Sequence, residues 1–99
     1  MEFLVEFEVD VPAATRDEEV DRRQRAESDA AAKLAEDGHL VRLWRRPLVG
    51  DGSTAVGLYR ADSEAELDGL LSALPLADWL HVTVTPLEGH PNDPAEASR

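Results

Sequence analysis

Leu40-Val41-Arg42-Leu43-Trp44-Arg45-Arg46-Pro47, then the turn Gly50-Asp51-Gly52, then Thr54-Ala55-Val56-Gly57-Leu58-Tyr59-Arg60, stand at the middle of the chain and decide its fold. Two β-prone segments around an Asp-Gly corner read as an antiparallel hairpin, residues 40–46 against residues 54–60. Pro47 closes the first segment, because a proline has no N–H to give to a ladder.

Outward from the hairpin lies a helix on either side. Thr15 and Glu18 have capping-box spacing, and the helix they open is expected to run to about Asp37, with Gly38 as its C′ residue. Ser63 and Glu66 form a second capping box. Leu67, Leu70, Leu71 and Leu74 follow at i, i+3, i+4 and i+7 until Pro75 stops the helix. At the outer ends are two more strands. Phe3, Val5, Phe7 and Val9 alternate with Glu2, Leu4, Glu6, Glu8 and Asp10, and Pro12 ends that run. His81-Val82-Thr83-Val84-Thr85 is the fourth β-prone stretch.

The order β-α-β-β-α-β is the split βαβ, ferredoxin-like arrangement of the α+β class: a four-stranded antiparallel sheet with both helices on one face. The other face, carrying Leu4 and one alternating set of the second strand, must meet water or another subunit. A sheet-to-sheet dimer, a dimeric α+β barrel, is therefore expected. Residues 1–90 make one domain, and residues 91–99, starting at Pro91, read as an extended C-terminal tail.

The chain has 99 residues, with 10 Lys plus Arg against 21 Asp plus Glu, a formal net charge of −11. That balance argues against nucleic acid and anionic membranes as partners, since phosphate binding needs a basic face. A small anionic substrate is still open to it, because a few local arginines override the overall field. The absence of cysteine removes disulfides and thiol catalysis. No apolar run approaches the length of a membrane span, and the first residues alternate instead of forming a signal peptide, so a cytoplasmic protein is expected.

Glu27 occupies a position where an apolar residue belongs. Val20, Glu27 and Leu34 are spaced by sevens, with Ala30 and Ala31 on the same helical stripe. A carboxylate on a core-facing stripe loses hydration, its proton affinity rises, and it becomes able both to take and to give a proton. The plainer reading is that it swings out to pair with Arg23 or Gln24. A second constellation lies in the second strand. Arg42 and Trp44 share one face; Val41, Leu43 and Arg45 share the other. A guanidinium beside an indole suits a planar anion, one group forking onto a carboxylate and the other giving a flat wall. The alternative is that Trp44 fills an interface and the arginines pair with Glu6 and Glu8. Apolar Val41 and Leu43 favour the helix side for their face, which would bring Arg45 to the interior that Glu27 faces. His39, His81 and His90 lack metal-ligand spacing, so no metal site is expected. Gly50 and Gly52 precede a strand, not a helix, and read as turn glycines.

Taken together and in order, Arg25-Ala26-Glu27, Gly38, Arg42-Leu43-Trp44-Arg45, Leu74-Pro75-Leu76 with Trp79, and Val82-Thr83-Val84-Thr85-Pro86-Leu87 with His90-Pro91-Asn92-Asp93 resemble the muconolactone δ-isomerases. The resemblance covers nearly the whole chain. It implies a ferredoxin-like subunit that pairs through its sheet and assembles further, to decamers in that family. It implies a cofactor-free isomerase of the β-ketoadipate pathway, in the catabolism of aromatic compounds through catechol. Its substrate would be a lactone carboxylate, muconolactone, converted to 3-oxoadipate enol-lactone by moving one proton. Glu27 falls at the family's acidic position and would be the catalytic shuttle. Arg42 or Arg45 would clamp the substrate carboxylate, the other arginine would face developing enolate charge, and Trp44 would wall the ring. Residues 47–53 depart from the family pattern, with no His, Tyr or Asn; Tyr59 is the nearby residue that could compensate. That departure leaves open a relative of muconolactone, or a cyclase or dehalogenase reaction on another enolisable substrate. A non-catalytic oligomeric binding protein is the reading from outside enzymology.

Overall fold

The computed structural model describes residues 1–46 and 54–97. Four strands, β1 (Glu2–Val9), β2 (Leu40–Arg45), β3 (Thr54–Arg60) and β4 (Leu80–Leu87), form one antiparallel sheet in the order β2-β3-β1-β4. Helix α1 (Asp17–Glu36) links β1 to β2, and α2 (Glu64–Ser72) links β3 to β4. This is the expected ferredoxin-like α+β fold. The Asp-Gly corner assigned to the hairpin lies outside the described residues.

The alternation of β1 is what fixes the layers. Phe3, Val5 and Phe7 are buried, and they form the core with Tyr59 and Ala61, with Leu34 of α1, with Leu67 and Leu71 of α2, and with Leu74. Both helices therefore cover the odd-numbered face of β1. The opposite face follows from the register: Leu4 stands between Leu58 and Thr85, and Glu6 between Val56 and Thr83. Arg42 lies across from Leu58 and Trp44 across from Val56, so both belong to that uncovered face. Ion pairs cross it at Arg46–Glu6 (3.4 Å) and Arg60–Glu2 (2.9 Å).

The sequence reading is corrected at several element ends. Helix α1 does not use Thr15 as its cap. The Thr15 N–H is taken by the Pro12 carbonyl in a turn (3.0 Å), and the helix starts after Arg16, which is extended and makes no side-chain cap bond. Asp17, Glu18 and Glu19 in the first turn offset the missing cap by complementing the helix dipole. Gly38 does terminate α1 with a φ of 83°, a backbone region in which glycine has no Cβ penalty. At α2, Ser63 Oγ accepts the Glu66 N–H (3.1 Å), and the Glu66 carboxylate accepts the Asp62 N–H (3.0 Å).

Val41 does not share a face with Leu43 and Arg45. The ladder steps from Leu40↔Tyr59 to Arg42↔Leu58, leaving Val41 as an unpaired bulge residue. β4 runs past Thr85 to Leu87 and includes Pro86, which an edge strand tolerates because one row of its backbone groups has no partner. The tail expected to be extended over residues 91–99 contains a turn of helix, Pro94–Ala97. Asp93 Oδ1 accepts the Ala95 N–H (2.9 Å) and Pro94 starts the turn, the usual chemistry of a helix beginning. Among the described residues no helix is long and apolar enough to cross a membrane.

Candidate active site

Glu27 arises from the heptad spacing of α1. Leu34 is buried and Val20 is half-buried on the same stripe, so Glu27 between them is held at the helix–sheet boundary, itself half-buried. It does not swing out to an arginine. Its Oε1 accepts the backbone N–H of Leu76 at 3.1 Å. Loss of hydration pushes its proton affinity up, and the Leu76 N–H partly offsets this by favouring the charged form.

Tyr59 lies close to this carboxylate. Its ring is packed in the core against Phe7, with centroids 5.9 Å apart. Burial pushes the phenol up to about 12, and the negative charge of Glu27 adds to the shift. Gly57 makes room for the ring. Residues 57 and 59 share a strand face, and a Cβ at Gly57 would lie 2.6 Å from Tyr59 Cε1.

Arg23, one helical turn before Glu27, is committed elsewhere. Its Nε donates to Glu19 (2.9 Å), its Nη1 to Asp78 (2.7 Å) and, more weakly, to the Pro75 carbonyl (3.4 Å). The guanidinium also lies over the Trp79 ring, 4.3 Å from its centroid. Arg23 thus holds residues 75–79, including the 3-10 turn Ala77–Trp79, against α1. The carbonyl of Trp79 in turn accepts the Asp10 N–H (2.7 Å), tying this segment to the end of β1.

A cleft of about 820 Å³ opens beside these groups, lined by residues 9–11, Gln24, residues 43–45, Thr54, Ala55 and Leu76. Glu27 is not itself a lining residue, but it neighbours two that are: Gln24 precedes it by three residues on α1, and the Leu76 N–H donates to its carboxylate. Arg45 is part of the wall on the helix side of the sheet, as its register opposite Ala55 requires. It has no carboxylate partner among the described residues; the cross-sheet pair with Glu6 is made by Arg46 instead. The Thr54 hydroxyl, also at the wall, is buried without a hydrogen-bond partner among the described residues.

The structure thus brings Glu27, Tyr59 and Arg45 to one side of the sheet and separates Arg42 from them. Arg42 stacks on Trp44 at 5.0 Å on the uncovered face. Trp44 touches the cleft from the edge strand, but its register directs the side chain to the face it shares with Arg42. Sequence reasoning noticed Arg23 and Trp79 without joining them. The available signal was the i, i+4 spacing of Arg23 and Glu27; the partner segment, 52 residues away, carried none.

Three comparisons bear on this geometry. The sequence model of the family described as Muconolactone delta-isomerase matches residues 1–93. The chain is 33% identical over 92 residues to Muconolactone Delta-isomerase 1 of Acinetobacter lwoffii, covering 93% of each. It is 32% identical over 92 residues to Muconolactone Delta-isomerase of Cupriavidus pinatubonensis (strain JMP 134 / LMG 1197), covering 93% of this chain and 97% of that one. A crystal structure of muconolactone isomerase matches with a TM-score of 0.84 at 23% identity over 95% of both chains, a likeness of fold. On the span and identity of these matches, the chain belongs to the muconolactone delta-isomerase family.

Proposed function

We propose that this protein isomerises muconolactone, or a close relative of it, to the corresponding enol-lactone, with Glu27 as the proton shuttle. The observation that carries the reading is a half-buried carboxylate that accepts the Leu76 N–H, next to a cleft that also presents the Arg45 guanidinium, which has no carboxylate partner among the described residues. The family membership supports the substrate class.

The reaction needs one base that becomes one acid. In its ionised form Glu27 removes a proton from the ring carbon that bears the carboxymethyl arm. The electron pair spreads through the ring double bond to the lactone carbonyl, giving a dienolate. The protonated Glu27 then returns the proton to the carbon next to that carbonyl, and the double bond has moved by one position. A carboxylate with raised proton affinity is a stronger base for the first step and is still acidic enough for the second. Arg45 binds the substrate carboxylate or faces the developing enolate oxygen. Tyr59 backs the site from the core, and Trp44, whose side chain lies on the uncovered face, enters this proposal as Arg42 does. Arg42, on the uncovered face, belongs to this proposal only through self-association. That face carries Leu4, Leu58, Val56 and Trp44, an apolar surface suited to a dimer; assembly from dimers to a decamer, and a cytoplasmic location, complete the proposal.

The test is direct. Purified protein is incubated with muconolactone and the enol-lactone is followed by proton NMR. Its appearance at enzymatic rates is expected. No turnover of muconolactone, together with halide release from a halogenated lactone, would replace the isomerase reading with the dehalogenase one.

A further inference from the structure

Arg23 and Glu27 hold opposite ends of one peptide group. Arg23 Nη1 donates to the Pro75 carbonyl oxygen (3.4 Å), and the Leu76 N–H donates to Glu27 Oε1 (3.1 Å). The Pro75 C=O and the Leu76 N–H belong to the same planar unit, and in a trans peptide they point in opposite directions. Residues 23 and 27 are one turn apart on α1, roughly 6 Å along the axis. The peptide therefore lies alongside that turn, carbonyl towards the guanidinium and N–H towards the carboxylate.

The Pro75–Leu76 peptide is outside any strand or α-helix. It leads into the 3-10 turn Ala77–Trp79, and its orientation depends on what grips it. The grip is Arg23, which is itself fixed by Glu19 and Asp78 and by its stacking on Trp79. We infer that Arg23 is a positioning residue for Glu27, acting through the Pro75–Leu76 peptide group and not by touching substrate. This rests on the reading of Glu27 as the proton shuttle.

Two effects follow. Arg23 prevents the peptide from rotating its N–H away from Glu27. A cation at the carbonyl also polarises the unit and makes its N–H a better donor. Both favour the ionised carboxylate, against the desolvation that disfavours it. The other titratable groups on the elements around Glu27 are Tyr59 on β3, Asp78 in the turn, and Arg45 and Asp10 at the cleft. A change at Arg23 leaves all of them in the chain.

The test compares wild type with Arg23→Met, which keeps an apolar stem against Trp79, and with Arg23→Lys, which keeps charge but loses the fork. Three quantities are measured: the pH profile of kcat with muconolactone, KM, and the carbon-13 NMR titration of the Glu27 carboxyl without substrate. Arg23→Met is expected to lower kcat by about tenfold, the size of one lost hydrogen bond to a charged group, with KM nearly unchanged. The Glu27 titration and the acidic limb of the profile are both expected to move to higher pH, with Arg23→Lys in between. Should Arg23→Met fail to fold, Asp78→Asn loosens the same guanidinium, and a smaller movement in the same direction is expected. A variant that melts earlier but leaves the Glu27 titration and the pH profile in place would reduce Arg23 to a structural clamp and overturn the inference. The shuttle reading fails differently: Glu27→Gln would retain full activity, while the effect of Arg23→Met on the Glu27 titration would persist.

Discussion

The ring of Tyr59 occupies the space in which Gly57 has no side chain. A Cβ at residue 57 would meet Tyr59 Cε1 at 2.6 Å and Leu43 Cδ1 at 3.4 Å. The glycine in the middle of a central strand, a position where glycine costs strand stability, is explained by that close approach. It sets the ring beneath α1, in the electrostatic reach of Glu27.

Gly57→Ala should therefore destabilise the protein by about 1–3 kcal/mol, the cost of overpacking a filled core, and lower activity by moving Tyr59. Urea denaturation and steady-state kinetics check both. An alanine variant as stable as wild type would mean that the ring has room to move.

Glu27→Gln should stabilise the fold at neutral pH. Burial raises the proton affinity of Glu27 in the folded state above its ordinary value of 4.5. The folded state then holds the proton more tightly than the unfolded one, so ionising Glu27 costs stability as pH rises above 4.5. Glutamine keeps an oxygen for the Leu76 N–H and carries no charge. Its advantage in melting temperature should be present at pH 7 and disappear below pH 4. An unchanged or lower melting temperature at pH 7 would indicate a carboxylate that is not disfavoured where it stands.

Tyr59 governs the alkaline side. Its phenol is pushed up to about 12 in the folded state from the ordinary 10.0. Above pH 10 the unfolded chain loses this proton while the folded protein keeps it, so stability falls between pH 10 and 12. Tyr59→Phe should flatten that part of the stability–pH curve. Chemical denaturation at pH 8 and pH 11 measures the difference.

Much of this was legible in the sequence. The strict alternation of Phe3, Val5 and Phe7 announced the buried face of β1, and the heptad spacing of Val20, Glu27 and Leu34 put the carboxylate at the boundary. The parity of β2 was only partly legible. Arg42 and Trp44 did share a face, but the bulge at Val41 depends on pairing with β3 and has no local signature. The start of α1 was misplaced because Thr15 has cap chemistry, while the Pro12 carbonyl competes for its N–H. The Arg23 clamp joins residues far apart in sequence and appears only when residues 75–79 pack against α1.

Arg45→Ala should weaken substrate binding more than turnover. A guanidinium at the wall of the cleft, with no carboxylate partner among the described residues, is available to an anion. Losing a charge-assisted bond to substrate should raise KM by roughly 10–100-fold. The same substitution at Arg42, on the far face of the sheet, should change KM less in the dissociated subunit. Michaelis kinetics on the two variants, with the oligomeric state recorded, make the comparison.

The role of Glu27 is tested by converting muconolactone in deuterium oxide with wild type and with Glu27→Gln. Wild type should form the enol-lactone with the abstracted proton carried to the carbon next to the carbonyl, deuterium entering there only to the extent that the protonated Glu27 exchanges with solvent before returning it, and Glu27→Gln should be slower by about 10²–10⁴-fold. A Glu27→Gln protein that works at the wild-type rate, with the same labelling, would contradict the proton-shuttle mechanism.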